Sequence, residues 1–408
     1  MIIMQMRDLH FLGYEITTHY HPIVSIKTSK VIGYEALVRG IDACGGIVSP
    51  DVLLSCAMKD GQLLEFDRMC RESAVRNYPE LCTQTGGNPF LFMNFESSLI
   101  DMGVTGSGVI MNLCADAGVD PSRVVIEIVE SRVNDVDAMS RFIGAHRDKG
   151  FCIALDDVGE GYSNLNRISV VNPDIMKIDR SLVTGISHDY VKQRIVSSLA
   201  HLARGIGALV CAEGIECAED ALSALEAGAD LFQGFHFAKP APVDRIADIN
   251  SRIDDLSHLS RSHAVSMIEK KRDMSRRHQR DLEDASTRLE EVPFLEFQPV
   301  IERCLSSMSG CECVYVLNSN GCQITETICM NEKSGKSASL FHPAEIGTDH
   351  SLKDYFYIPA ESGGESFNSD AYVSLASGNL CRTVSKTFAH RETGESYVLC
   401  ADFLVKPE

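Results

Sequence analysis

Five carboxylates, two amides and one ammonium recur at the tips of short apolar runs in this 408-residue chain. In order they are Glu35 (VIGYEALVR), Asn94 (FLFMNFE), Glu127 (VVIEIVE), Asp156 and Asp157 (CIALDDVG), Lys177 (IMKID), Glu213 (ALVCAEG) and Gln233 (LFQGFHF). Stability does not explain them, because buried anions are strongly unfavourable unless cations neutralise them. The pattern points to a divalent-metal site and to hydrolysis. Two ions about 3.5–4 Å apart can clamp an in-line displacement at phosphorus, stabilising both the attacking and the leaving oxygen. Hard oxygen ligands suit Mg²⁺ or Mn²⁺, and no cluster has the His/Cys spacing of structural zinc. Neighbours on a strand face opposite ways, so Asp156 and Asp157 serve together where the strand ends, and Gly159 and Gly161 follow to permit the bend. Lys177 would hold the attacking water and offset charge on the phosphorus.

Elements must bring these tips together. From Tyr14 to about Pro240, short β-rich runs alternate with helical ones: Pro50–Met58, Leu63–Tyr78, Asp135–Lys149, Val191–Arg204 and Ala218–Ala227. That alternation predicts an α/β fold, a (β/α)8 barrel of the TIM type whose strand ends converge on one active face. Residues 243–290 contain no glycine. Apolar residues recur there from Ile246 through Ile253 and Leu256 to Val265 and Ile268, as in one seam of a long helix. Its basic centre, Lys270 to Arg280, reads as a solvated helical face. Residues 291–408 open with a helix (Phe297–Met308) and continue through a strand–turn–strand around Asn320–Gly321, which predicts a smaller α+β domain. The expected division is therefore 1–242, 243–290 and 291–408.

Bulk properties narrow the function. A net charge of −19 opposes duplex binding, which needs a basic footprint, so DNA is not an expected partner. No run reaches the length of a membrane span, and the N-terminus lacks a signal-peptide pattern. Fifteen cysteines without framework spacing fit reduced thiols in a cytoplasmic protein.

The runs HPIVSIKTSKVIGYEALVRG, FMNFE, VVIEIVE, ALDDVGEGYSNL, IMKIDRSLV, CAEGIE and LFQGFHFAKP resemble, in order and spacing, the EAL-domain family of cyclic di-GMP phosphodiesterases, over about residues 14–240. The resemblance implies a modified barrel, two Mg²⁺ or Mn²⁺ ions, and hydrolysis of cyclic di-GMP to linear pGpG. It implies that Glu35, Asn94, Glu127 and Asp156 bind one ion, with Asp156 bridging to a second held also by Asp157 and Glu213. Lys177 takes the place that positions the attacking water. Gln233 and Asp179 match supporting positions, and Leu37, Arg39 and His21 match substrate contacts. Glu130, Gly159 and Glu216 match the loop after the Asp pair and its surroundings. The sequence departs from the family at His21, where glutamine is usual, and at Val158 and Glu160 in that loop. These departures leave an alternative, a catalytically weak or inactive EAL protein acting as a receptor for cyclic di-GMP.

From Asp354 onward the chain resembles the PAS-like fold of Cache sensor domains, with Tyr355, Tyr372 and Asp402 as candidate pocket residues for an unknown small ligand or protein partner. The expected assembly is a homodimer through the barrel and the long helix, with its output tuned by residues 291–408.

Overall fold

The computed structural model describes residues 9–129, 133–160, 165–330, 340–361 and 366–405. The chain falls into two compact units, Met1–Ser262 and His263–Glu408.

The first unit is built on eight strands: Tyr14–Ser25 (β1), Lys30–Ile41 (β2), Phe90–Asn94 (β3), Val124–Ile128 (β4), Cys152–Val158 (β5), Ile175–Ile178 (β6), Leu209–Ala212 (β7) and Leu231–Phe232 (β8). Pairing runs from β1 through β8, β7, β6, β5, β4 and β3 to β2, and β2 pairs back with β1. The barrel is therefore closed. Neighbours are parallel except at β1, which is antiparallel to both β2 and β8. That reversed strand is what modifies the (β/α)8 plan, because β1 and β2 follow each other directly without a crossover helix.

Strand periodicity explains how apolar runs deliver polar tips. Ile23, Phe92, Val125, Ala154, Ile175, Cys211 and Leu231 form one buried cluster, one residue from each of seven strands. Side chains two residues apart on a strand share a face. Stepping two residues on from that layer gives Asn94, Glu127, Asp156, Lys177, Glu213 and Gln233. On the reversed strand β1, stepping two residues back gives His21. The polar groups thus form the next inward layer, resting on an apolar floor. The intervening residues, such as Met93, Ile126, Leu155, Met176 and Ala212, belong to the larger core between barrel and helices.

Three details differ from the sequence reading. Glu35 does not end its run but sits mid-strand in β2, because that strand continues to Ile41 in pairing with β1. The span Leu63–Tyr78 is two helices, Leu63–Arg76 and Tyr78–Thr85, since Pro79 at the second helical position starts a new helix. In the long helix Asn250–Glu290 the apolar seam is not uniformly covered. Ile253 and Leu256 are buried in the first unit's core and Leu282, Ala285 and Leu289 in the second's, whereas Leu259, Val265 and Ile268 are exposed. No helix among the described residues is long and apolar enough to cross a membrane. All fifteen cysteines are free.

The second unit is an antiparallel sheet of Cys311–Asn318 (β9), Ile328–Cys329 (β10), Phe367–Asn368 (β11), Tyr372–Val373 (β12), Leu380–Ala389 (β13) and Ser396–Leu404 (β14). Its order is β10-β9-β14-β13-β11, with β12 also on β13. One face packs on Leu282, Leu289, Phe297, Val300 and Ile301. The other carries Tyr315, Leu317, Val398 and Cys400 beneath Tyr355 and Phe356 of the helix Asp354–Glu361. On that second face Asp402 is buried and accepts hydrogen bonds from Thr383 Oγ1 at 2.8 Å and Tyr372 Oη at 3.2 Å, with Ser374 Oγ at 3.5 Å.

Burial pushes the Asp402 carboxyl up to about 6, against those hydroxyl donors. A folded-state value above the unfolded one means that ionisation opposes folding, so stability is lost as pH rises from about 4 through 6. Asp402→Asn keeps an acceptor for Tyr372 and Thr383 and removes the charge. It should stabilise the second unit by about 1–3 kcal/mol at pH 7.5 and by nothing below pH 4, as read from denaturant unfolding at the two pH values. Equal stability of variant and wild type at pH 7.5 would contradict this.

Candidate active site

Lys177 stands at the centre of the polar layer and is 1% exposed. Its Nζ lies 2.7 Å from Glu127 Oε1, 2.7 Å from Glu213 Oε1, 3.1 Å from Asp156 Oδ1 and 3.9 Å from Glu35 Oε1. Burial works against the ammonium, but the four carboxylates outweigh it and hold the Lys177 proton well above the ordinary lysine range. One cation cannot neutralise four anions. Burial, together with Glu35 and Asp156, accordingly pushes the Glu127 carboxyl well up. Glu213 is raised to about 8 by burial and by its carboxylate neighbours. Glu127 Oε2 is buried with no partner among the described residues, and Glu127 Oε1 and Asp156 Oδ1 have Lys177 alone. Surplus anions and an unsatisfied oxygen in a buried layer fit a bound cation.

The Asp pair is aimed by a bend in the strand itself. β5 shifts register between Leu155 and Val158, and Asp157 sits at φ +57°, the left-handed region that Asp and Asn enter more readily than most residues. The turn therefore falls on Asp157, two residues before the first of the glycines expected to provide it. Gly159, at φ +103°, is needed for a second reason, since a Cβ there would lie 2.3 Å from Leu182 Cδ1. The bulge brings oxygens of Asp156, Asp157 and Glu213 within 4.8 Å of one another. Burial first, then Asp156 and Glu160, push the Asp157 carboxyl up to about 6. An all-oxygen donor set with surplus negative charge fits a hard divalent cation.

Glu35 is held in a fixed orientation. Asn94 Nδ2 donates to Oε1 at 2.8 Å and Gln233 Nε2 donates to Oε2 at 2.7 Å. Burial opposes ionisation of Glu35, but Lys177 and the two amides keep it below the ordinary carboxylate value. Gln233 Nε2 also donates to His21 Nδ1 at 2.9 Å, and His21 Nε2 faces the Ala238 carbonyl at 3.1 Å. These partners assign the proton of His21 to Nε2. The turn carrying Gln233 is pinned by close backbone packing: a Cβ on Gly234 would lie 2.1 Å from the Ile215 carbonyl oxygen.

A family model for the EAL domain matches residues 7–240. The chain belongs to the EAL domain family. It is 25% identical over 380 residues to YkuI, an uncharacterised EAL-domain protein of Bacillus subtilis, covering 91% of each chain. The crystal structure of YkuI with c-di-GMP and calcium shares the fold, with a TM-score of 0.78 and 23% identity over 96% of both chains. PdeB of Escherichia coli, a probable cyclic di-GMP phosphodiesterase, is 28% identical over 56% of this chain and 43% of its own length. BlrP1 of Klebsiella pneumoniae, solved with calcium and cyclic di-GMP, has a TM-score of 0.52 at 30% identity over 60% of each chain. The chain thus spans nearly all of YkuI and less than half of PdeB.

Beside the EAL carboxylate layer lies a cavity of about 290 Å³ lined by Leu37, Asn94, Phe95, Asp67 and Arg71, among others. Leu37 shares the face of Glu35 and Arg39 on β2. Arg39, half-buried, donates to the Val38 carbonyl at 2.7 Å. Asp67 and Arg71 form a buried ion pair one helical turn apart, and Asp67 Oδ1 accepts from the Glu96 amide at 3.1 Å. Arg71 Nε and Nη2 have no hydrogen-bond partner among the described residues. Sequence reading missed this pair. The available signal was an Asp and an Arg spaced by four on the apolar side of FDRMCRESAV.

The remaining candidates take other positions. Asp179 caps the short helix Arg180–Val183 by accepting from the Ser181 amide at 2.9 Å. Val158 is buried in the barrel's outer core, and its carbonyl accepts from the Asp179 amide at 3.1 Å. Glu160 and Glu216 are both exposed. Glu130 lies outside the described residues.

Proposed function

We propose that the EAL unit hydrolyses one phosphodiester bond of cyclic di-GMP, giving linear pGpG, with divalent ions bound at its carboxylate layer. The observation that carries this reading is the set of four carboxylates around Lys177, with a buried oxygen left unsatisfied. In the proposal Glu35, Asn94, Glu127 and Asp156 bind one ion, and Asp156, Asp157 and Glu213 the other. Bound there, Mg²⁺ or Mn²⁺ would supply a water acidic enough to attack near neutral pH and would neutralise phosphoryl oxygens.

The chain's own groups do the positioning. Lys177, clamped between Glu127 and Glu213, presents its remaining N–H to the attacking water. Asn94 and Gln233 hold the Glu35 carboxylate in one orientation, and His21 orders Gln233 from behind. The cavity at Leu37, Asp67 and Arg71 offers apolar walls with a carboxylate acceptor and guanidinium donors, a combination that suits a guanine edge. The named activity of PdeB and the bound nucleotide of BlrP1 support the choice of substrate.

Chelation tests the metal requirement. Dialysis against EDTA should reduce pGpG formation to background, and Mn²⁺ or Mg²⁺ should restore it. Turnover that persists in chelator would overturn the reading. The same proposal takes the chain as a homodimer with a sensory C-terminal part, which light scattering and the turnover of a chain ending at residue 290 would check.

A further inference from the structure

The second unit carries a pair of cysteines that phosphodiester hydrolysis does not use. Cys313 on β9 and Cys329 on β10 are direct partners in the antiparallel ladder. The Met330 amide donates to the Glu312 carbonyl at 2.8 Å, so 312 and 330 are a hydrogen-bonded pair. By the alternation of an antiparallel ladder, 313 and 329 are then a non-hydrogen-bonded pair, whose Cα atoms stand about 4.5 Å apart with side chains close. Disulfides span roughly 4.4–6.8 Å between Cα atoms. The two thiols are close enough to shift each other's titration in opposite directions. Their surroundings differ, since Cys313 is 0% exposed and Cys329 is half-buried.

We infer that Cys329 and Cys313 form a reversible disulfide on reaction with a peroxide, with Cys329 attacking and Cys313 resolving. The Cys329 sulfur takes one peroxide oxygen as the O–O bond breaks, becoming a sulfenic acid, and the other oxygen leaves as water with the thiol's proton. The Cys313 sulfur then attacks the Cys329 sulfur. An S–S bond forms, the S–O bond breaks, and the hydroxyl leaves with the Cys313 proton as a second water. The two thiols lose two electrons and the peroxide gains them.

The environment supports this division of roles. The neighbouring Cys313 thiol lowers the Cys329 thiol, against burial and the Glu312 and Asp402 carboxylates, and the thiolate is the reactive form. The neighbouring Cys329 and burial push the Cys313 thiol up, so it keeps its proton until the second step. The product would tie β10 covalently to β9, and its half-buried sulfur leaves it open to reduction by small thiols.

The test is hydrogen peroxide treatment of the full chain, followed by alkylation, digestion without reductant and mass spectrometry. The expected result is a cross-linked peptide pair joining Cys313 to Cys329, reversed by dithiothreitol, while the exposed Cys44 stays alkylatable. In Cys313→Ser the reaction should stop at a Cys329 sulfenic acid that dimedone captures. Full alkylation of both cysteines after peroxide, or oxidation of Cys44 ahead of them, would overturn the inference. Should Cys313→Ser not fold, the wild-type cross-link decides by itself.

Discussion

Lys177→Met should lower pGpG formation by roughly 10³-fold and destabilise the metal-free protein by about 3–5 kcal/mol at pH 7.5. Among the described residues, Lys177 is the one cation within 4 Å of Glu35, Glu127, Asp156 and Glu213. Without it these groups sit buried with no opposing charge. They would then take up protons in the fold at pH values where the unfolded chain releases them. Stability of the variant therefore falls as pH rises above the ordinary carboxylate range, and its deficit against wild type narrows on acidification. Mn²⁺ should recover most of the stability and little of the activity, because it replaces the charge and not the positioned N–H. Thermal unfolding at pH 5 and 7.5, with and without Mn²⁺, reads all of this. A variant as stable as wild type at pH 7.5 without metal would contradict it.

Asp157→Asn should do the reverse, strengthening the metal-free fold while removing function. Burial and Asp156 raise the Asp157 carboxyl to about 6, so its ionisation costs stability that is fully lost above that pH and not below about 4. Asn tolerates the φ of +57° at this position and carries no charge. A gain of about 1–2 kcal/mol at pH 7.5 is expected after allowing for solvent screening. The cost is the second ion. Divalent metal should no longer raise the unfolding temperature as much as in wild type, and turnover should fall roughly 10²-fold or more. A variant that is less stable without metal, or that keeps the full metal response, would count against the role of Asp157.

The barrel and its polar layer were legible because two simple periodicities coincide. Six of the eight barrel strands are short and apolar, and each of those places its polar residue two positions beyond an inward-facing apolar one, as at Val125 and Glu127 or Ile175 and Lys177. Such a pattern survives without knowledge of tertiary contacts. What was not legible depended on contacts across the chain. The bend was marked by Gly159 and Gly161, but its placement on Asp157 goes with the register shift of β5 against β6, which is a contact between strands. Asp67 and Arg71 drew no reading of their own within the helical run Leu63–Tyr78, and it is the fold that sets them against Leu37, Asn94 and Phe95 around one cavity. The helix break after Arg76 was marked by Pro79 and passed over. In the second unit the buried face around Asp402 mixes Tyr, Thr, Ser and Cys, so neither hydropathy nor alternation separates inside from outside there.

The most direct measurement is chromatographic turnover of cyclic di-GMP with Mn²⁺, comparing wild type with Glu35→Ala. Appearance of linear pGpG from wild type and none from the variant is the predicted result, because Glu35 is the carboxylate that Asn94 and Gln233 hold in place. Binding of cyclic di-GMP by wild type without any product would contradict the account and make this EAL protein a receptor.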